Sequence, residues 1–229
     1  MSLKGVKEGD YTMIMGFPGR TSRYLTASEV KLRTQSQNFP INLAGEAQLN
    51  FMKALMDRDS VANLKLADEY MSLGNVVKNF GGMNESVKKT GLMGIKANEE
   101  KAFMDFAKRS GKAEYLNIIS RIDSLVTAVE DSLHDYYLLN YTFGAMKFNV
   151  RTSVVDNYLK ALEADSTEAL ATAAEALRKA QEMTAGVDLD FDRATVELLI
   201  PYWVKYNRLG LTPLATDGNY SALIENIYT

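Results

Sequence analysis

Residues 112–143 carry the longest regular apolar pattern of the sequence, and this pattern constrains the fold more than any other feature. Apolar side chains recur there at intervals of three and four residues, which places them on one face of an α-helix. They are Tyr115, Ile118, Ile119, Ile122, Leu125, Val126, Val129, Leu133, Tyr136 and Tyr137. The stripe predicts the longest helix of the chain, in the core of a helical bundle or an antiparallel helical hairpin.

Helical periodicity continues through most of the chain from Ser28 onward. Residues 57–60 supply a turn and an N-cap. The two glycines at 81–82 predict a break in a helix, and Pro201 predicts a kink or an early boundary. In chain order we predict a helix from Ser28, then 44–56, a helix from Val61 past Gly74, 98–109, 112–143, 166–183 and 192–206.

The first residues follow a different pattern. Residues 11–15 are mostly apolar, and the Pro-Gly pair at 18–19 predicts a turn before a short β-prone segment. A strand and a turn alone leave open edges and an uncovered face, so we expect residues 4–27 to be the end of a β-barrel. Residues 1–3 resemble a vector-derived start. The predicted fold is mainly α, an irregular multi-helix bundle over 28–229 with a short N-terminal β remnant.

Composition excludes several classes of function. A net charge of -3 and a pI near 5.4 provide no basic stripe for nucleic acid. No window approaches the roughly 18 consecutive apolar residues of a membrane span, so none is predicted. The chain has no cysteine, which rules out disulfides, thiolate metal sites and cysteine nucleophiles within it.

His134 is the only histidine of the sequence and therefore the first candidate for a catalytic base. Glu130, Asp131 and Asp135 lie close to it in sequence and could form a relay. We interpret it instead as a histidine held by a local carboxylate, because the members of a catalytic triad come from separate elements around a pocket. No Gly-x-Ser-x-Gly motif is present either. The sequence predicts no complete hydrolytic machinery and no catalytic residue in this chain.

The alternating acidic residues at 188–192 resemble the first half of a calcium-binding loop. Arg193 stands where the loop needs glycine, and Leu199 stands where it needs a bidentate glutamate. We therefore predict that these carboxylates cap the following helix. No metal and no cofactor are predicted.

Asn75 and Asn79 are four residues apart and share one helix face, directly before the glycines at 81–82. Side-chain amides beside a helix break can bind the amine or carbonyl group of a ligand. The residues by themselves favour the alternative, in which both are ordinary exposed polar side chains.

Three segments together resemble the bacterial dipeptidyl peptidase 7 and 11 family. Residues 9–26 read GDYTMIMGFPGRTSRYLT and are the most specific match. Within residues 66–84 the chain has Leu-Ala-Asp-Glu-Tyr, an asparagine at 75, Lys-Asn and Gly-Met-Asn, similar to a family pattern with Ser-Asn-Tyr-Trp-Lys-Asn and Gly-Met-Asn. Residues 190–193 read Asp-Phe-Asp-Arg and form a weaker match. The three follow in the family's order and cover most of the chain.

The resemblance implies a serine exopeptidase with a chymotrypsin-like double barrel and a large helical domain inserted between the barrels. Residues 4–27 then finish the first barrel, and 28–229 form the helical cap domain. The catalytic histidine and aspartate precede this segment and the serine follows it, so we expect the fragment to be inactive. The parent is expected to be a dimeric, periplasmic, secreted or cell-surface enzyme that removes dipeptides from oligopeptides.

The resemblance also implies a role for one asparagine of the helical domain, which helps to hold the α-amino group of the substrate. Asn75 matches it by position, with Asn79 as the second candidate. The chain has Val76-Val77 where the family has Tyr-Trp, and Gly74 replaces a serine, so the amine pocket need not have the family's shape. Selectivity for acidic or hydrophobic side chains is set mainly in the second barrel. The alternative function is a helical module that binds a protein partner and has no peptidase activity.

Overall fold

The computed structural model describes residues 5–13, 22–147, 185–212 and 219–228, with a few isolated positions between 159 and 182. Within these residues the regular structure is helical, which confirms the predicted mainly α class. The helices are α1 (Ala27–Leu32), a π-helix (Arg33–Asn38), α2 (Phe39–Met56), α3 (Ser60–Lys89), α4 (Leu92–Ser110), α5 (Ala113–Leu116), α6 (Ile118–Thr142), a 3₁₀ turn (Phe143–Ala145), α7 (Leu189–Tyr206) and α8 (Tyr220–Tyr228).

The N-terminal strand is not seen in the described residues. Residues 5–13 form a turn and irregular backbone, and 22–26 also lack regular structure. The Pro-Gly turn and the rest of the predicted strand, 14–21, lie outside the described residues, as does most of the predicted helix 166–183. Across the described ranges, no helix has both the length and the apolarity needed to cross a bilayer.

Helix α1 begins one residue before the predicted start because Thr26, rather than Ser28, caps it. The Thr26 hydroxyl accepts from the backbone N–H of Glu29 at 3.3 Å, and the Glu29 carboxylate accepts from the backbone N–H of Thr26 at 2.9 Å. This reciprocal pair is a capping box. The chain then continues through the π-helix into α2 without an intervening loop. Pro40 lies in the first turn of α2.

The predicted break at Gly81 and Gly82 is wrong. Helix α3 runs unbroken over its 30 residues and is the longest helix of the described chain. Two glycines inside a helix cost about 1 kcal/mol each, but packing against α2 offsets this cost. A Cβ atom at Gly81 would lie 3.4 Å from the side-chain nitrogen of Asn42, so a small residue suits this contact. Asp59 caps the helix, as expected of the 57–60 segment.

The long helix predicted over 112–143 is divided. It is interrupted at Asn117, where α5 ends and α6 begins. Val126 and Leu138 are buried, but Leu125, Val129 and Tyr136 are exposed and do not belong to the core of the described residues. The apolar stripe therefore covers two faces of α6, of which only one is packed. Exposed apolar side chains of this kind are common on protein surfaces.

Helix α4 starts six residues earlier than predicted, at Leu92. Only a short turn separates α3 from α4, because Gly91 adopts a left-handed conformation with φ of 61° and α4 starts directly after it. Gly111 ends the helix in the same conformation, with φ of 67°. Helix α4 thus ends at Ser110, one residue after the predicted end at 109.

The largest core cluster lies between the end of α6, α7 and α8. Trp203 of α7 is 1% exposed and donates its indole N–H to the carbonyl of Leu211 at 3.2 Å. Pro201 lies inside α7 without ending it. The buried members of the cluster are Leu138, Phe143, Met146, Val196, Ile200, Trp203, Tyr220 and Ile224. Helix α2 packs between this core and α3, the helix that carries Asn75 and Asn79. Helix α2 therefore connects the core to α3.

Candidate functional site

Asn75 and Asn79 lie on the exposed face of α3, one turn apart. Gly82 and Ser86 continue the same face towards the end of the helix, and both are exposed. Neither asparagine side chain forms a hydrogen bond to another described residue. Their amide oxygens and nitrogens are therefore available to a ligand.

A close contact with α2 limits how α3 can rotate. Val77 is buried against Gly45, and a Cβ atom at Gly45 would lie only 2.5 Å from a methyl carbon of Val77. The side chain of Val77 therefore occupies the space that glycine leaves free. Because Gly74 and Val77 face α2, Asn75 and Asn79 are turned towards solvent.

A cavity of about 680 Å³ adjoins the C-terminal end of this face. Gly82 and Ser86 form part of its wall, and the rest comes from the segment before α1, α1, the π-helix, α4 and other residues of α3 and the turn after it. Its volume is in the range of small-molecule sites. The apolar lining comes from Leu25, Val30, Met83, Val87 and Leu92, and the charged lining from Arg23, Arg33, Lys96 and Glu99. Three cations and one anion favour uncharged or anionic ligand groups in the cavity, whereas the neutral asparagine amides can accept from a cation.

Helix α4 holds the segment that leads into α1. The ammonium group of Lys96 is 3.0 Å from the carbonyl oxygen of Arg23 and 2.8 Å from the carboxylate of Glu99. One turn further along α4, Glu100 accepts from the backbone N–H of Ala27 at 2.6 Å. A cation and an anion on one helix face thus fix a carbonyl and an amide of the same short segment.

His134 is buried on α6 and is held by a neighbouring carboxylate, as predicted. Its Nδ1 atom is 2.9 Å from Asp135, and its ring stacks on Phe39 with a centroid distance of 6.2 Å. Burial lowers the pKa of His134, although the hydrogen bond to Asp135 acts in the opposite direction. Asp135 also accepts from the backbone N–H groups of Arg208 and Leu209, both at 2.8 Å. The pair therefore ties the end of α7 to α6.

The acidic segment at 188–192 stabilises helix ends and contacts between helices. Asp188 caps α7 by accepting from the backbone N–H of Phe191 at 3.0 Å, which confirms the predicted capping role. Asp192 is 1% exposed and has a different role, because it accepts from the backbone N–H of Lys147 and from the hydroxyl of Tyr228, both at 2.8 Å. Among the residues described, no three histidine or acidic side chains are grouped as a metal site requires.

Comparison with known proteins identifies the family of this chain. The model of the peptidase S46 family matches residues 1–211. The chain belongs to the peptidase S46 family. The resemblance found in the three sequence segments is thereby confirmed.

The relatives of this chain fall under two names, dipeptidyl-peptidase 7 and Asp/Glu-specific dipeptidyl-peptidase. Dipeptidyl-peptidase 7 of Phocaeicola vulgatus is 33% identical over 239 residues, which include the whole of this chain and 33% of the relative. Dipeptidyl-peptidase 7 of Porphyromonas gingivalis is 37% identical over 125 residues, 54% of this chain and 17% of the relative. The Asp/Glu-specific dipeptidyl-peptidase of Porphyromonas gingivalis is 26% identical over 239 residues, the whole chain and 33% of the relative. The chain spans about a third of the length of the relatives that it matches throughout.

Two polar contacts of this S46 chain were missed by sequence reasoning. One is a pair of asparagine side chains, Asn38 and Asn84, in which Asn38 donates to the Asn84 oxygen at 2.8 Å. The other is the contact of Lys96 and Glu100 with the segment before α1. Asn84 belongs to the Gly-Met-Asn segment of the resemblance, which was the only signal available for either contact.

Proposed function

We propose that this chain is the helical cap domain of a serine dipeptidyl peptidase that removes dipeptides from the N-termini of oligopeptides. The S46 match over residues 1–211 is the observation that carries the proposal, and the names of the relatives support it. In this assignment 28–229 roof and gate the cleft, and 4–27 end the first barrel. The serine, histidine and aspartate that perform hydrolysis lie outside the chain, so the isolated chain is inactive.

The exposed asparagines of α3 receive the free α-amino group of the substrate. An amide oxygen of Asn75, with Asn79 beside it, accepts a charge-assisted hydrogen bond from the ammonium group. Holding the amine at a fixed distance from the nucleophile places the second peptide bond in the reactive position, which explains release of dipeptides. The exposure of both side chains and their lack of hydrogen-bond partners among the described residues support this role.

The proposal extends to the setting of the whole enzyme. Oligopeptides are its substrates, and the two barrels that complete the cleft come from the same polypeptide. We expect the enzyme to be a homodimer in the periplasm, at the cell surface or secreted. These expectations follow from the family resemblance.

The amine-binding role can be tested in the full-length enzyme with two dipeptidyl reporters, one with a free amine and one N-acetylated. The wild type should cleave the free-amine reporter much faster. Loss of a hydrogen bond to a charged group costs about 1.5 to 3 kcal/mol. Asn75→Ala should therefore lower kcat/KM for the free-amine reporter about 10- to 150-fold, with a smaller loss in Asn79→Ala.

Asn140→Ala is the matched control, because Asn140 is an exposed asparagine on α6 that donates only to its own helix, at Tyr136. It should behave as the wild type. Equal rates on both reporters in the wild type would contradict the exopeptidase assignment. An unchanged preference in both Asn75→Ala and Asn79→Ala would remove α3 from amine recognition.

A helical protein-interaction module is the second candidate. The exposed apolar side chains of α6, Leu125, Val129 and Tyr136, are the observation that favours it. The S46 match favours the peptidase. Stable binding of a protein partner by a full-length protein that cleaves neither reporter would support the module.

A further inference from the structure

A pair of asparagines, of which Asn38 is buried and Asn84 half-buried, joins α3 to the π-helix. Asn38 is fully buried and donates its side-chain N–H to the Asn84 oxygen at 2.8 Å. The Asn84 side-chain nitrogen in turn donates to the backbone carbonyl of Thr34 at 3.3 Å. Helix α3 is therefore bound to both a side chain and the backbone of the π-helix.

This pair is not the arrangement that would stabilise the contact most. The carbonyl oxygen of Asn38 is buried and has no hydrogen-bond partner among the described protein groups. An unsatisfied buried polar group costs about 1 to 3 kcal/mol, whereas two apolar side chains of similar shape can be nearly neutral in its place. Buried polar pairs are known to specify the relative alignment of helices, even where they lower stability. π-Helical segments are in addition frequent at functional sites.

The pair is rigidly connected to the proposed amine-binding face. Asn84 follows Asn79 by five residues and Asn75 by nine in one unbroken helix, which corresponds to about 7.5 and 13.5 Å along its axis. Each residue of a helix is rotated by about 100° from the one before. A small rotation or shift of α3 at Asn84 therefore displaces both amides from the positions that face a ligand.

The packing contacts of α3 do not fully fix its rotation and axial position, and the hydrogen bonds of the amide pair contribute to both. Val77 against Gly45 is an apolar contact, which limits how closely the helices approach but is not directional. The hydrogen bonds of Asn84 are directional and connect α3 to two different groups of the π-helix. They favour one rotation of α3 among those that apolar packing allows, as does the more distant bond from Lys147 to Glu69 at 2.8 Å.

We infer that Asn84, held by Asn38 and Thr34, is a positioning residue for the α-amino group of the substrate. It sets the rotation and axial position of α3, so that Asn75 and Asn79 meet the amine. The inference rests on the proposed function of α3 in the dipeptidyl peptidase. Asn84 itself touches no reacting atom.

The test uses the full-length enzyme with Asn38 and Asn84 both changed to leucine. Removing both side-chain amides leaves neither of them without its partner, and only the half-buried Thr34 carbonyl loses a bond, so the Tm should stay within a few degrees of the wild type. The free-amine reporter should show a kcat/KM lowered about tenfold, because displaced amides hold the amine, and with it the second peptide bond, less well. The rate on the N-acetylated reporter should not change, and a general structural defect would lower it. Asn140→Leu on α6 is the control and should alter none of these values.

A second variant covers the case in which the double variant does not fold. Asn84→Asp keeps an oxygen that accepts from Asn38 but can donate to the Thr34 carbonyl only when the new carboxyl group is protonated. The carboxyl group of an ordinary aspartate is ionised at pH 7, so this variant should lose the bond to Thr34 and cleave the free-amine reporter with a lower kcat/KM, while its rate on the N-acetylated reporter stays unchanged. An unchanged kcat/KM for the free-amine reporter would overturn the inference.

The outcomes separate this inference from the proposed function. If Asn75→Ala and Asn79→Ala both keep the free-amine preference, the amine site itself is wrong and the inference fails with it. If Asn75→Ala loses the preference but the folded leucine double variant retains it, the positioning role is wrong and the amine site stands.

Discussion

At the scale of single residues, the buried pair of His134 and Asp135 makes stability depend on pH. Burial keeps the pKa of His134 below its value of about 6.5 in an unfolded chain. As the pH falls below about 6.5, the unfolded chain takes up a proton that the folded chain resists, so the free energy of unfolding decreases. Asp131, Asp135 and Arg208 are the charged groups that act on this histidine.

We therefore predict that the Tm falls between about pH 7.5 and about pH 5.5, and that it falls less in His134→Gln. His134 is the only histidine of the chain, and no other side chain normally changes its charge in the middle of this range. Thermal unfolding followed by circular dichroism at both pH values measures the difference. The same pH dependence in both proteins would show that folding does not lower the pKa of His134.

Single residues also show what sequence reasoning can and cannot reach. Asp59 and Asp188 act as N-caps within the segments predicted to cap helices, because capping depends on residues two or three positions away. Asn38 and Asn84 are 46 residues apart, and only the folded chain brings them together. Asn75 and Asn79 were proposed from the family resemblance, because hydrophobic periodicity does not distinguish a ligand-binding amide from any other exposed polar side chain.

At the scale of helices, periodicity predicted where most helices lie but not how they end or continue. The expected break in α3 was wrong because the cost of two glycines is small beside packing along α2. The apolar stripe at 112–143 correctly predicted helical structure. Three of its side chains that were expected in the core, Leu125, Val129 and Tyr136, are exposed instead. A pattern shows that a face is apolar, but which face is covered depends on the other helices.

The contact of α2 with α3 gives a prediction for Gly45, with Gly82 as its control. Gly45→Ala introduces a Cβ atom 2.5 Å from Val77, so Val77 or the helices must move. We expect a loss of about 1 to 3 kcal/mol in the free energy of unfolding, as for other overpacked cores. Urea unfolding measures the change, and Val77→Ala in the same protein should relieve part of it.

Gly82→Ala is the control for Gly45→Ala, because a Cβ atom at Gly82 meets no atom within 4 Å. Alanine is the better helix former, so this change should raise the free energy of unfolding by about 0.5 to 1 kcal/mol. Similar effects at both positions would mean that helix propensity, and not the contact with Val77, decides the outcome.

At the scale of the whole molecule, the segment before α1 is the connection between the two proposed parts of the enzyme. Lys96 and Glu100 on α4 hold this segment at Arg23 and Ala27. The helical part is thus joined to the connecting segment by hydrogen bonds from α4 as well as by the covalent chain. In the proposed enzyme, fixing the connection would limit how far the helical domain can move relative to the barrel.

Lys96→Met should loosen this connection. The bond between its ammonium group and the Arg23 carbonyl is charge-assisted and worth about 1.5 to 3 kcal/mol. We expect the amide of Ala27 to exchange with solvent at least about tenfold faster, as measured by hydrogen–deuterium exchange. Lys101→Met removes an exposed lysine from the same helix and should leave the exchange unchanged. Unchanged exchange in Lys96→Met would mean that the Glu100 contact alone holds the segment.

The unbroken length of α3 makes it a lever. Thirty residues correspond to a rod of about 45 Å, anchored near one end by Asn84. A tilt of about 2° around that anchor moves Asn75, about 13.5 Å away, by about 0.5 Å, which is already the tolerance of a preorganised binding site. A hinge at the two glycines would absorb such an error before it reached Asn75, and the continuous helix transmits it in full.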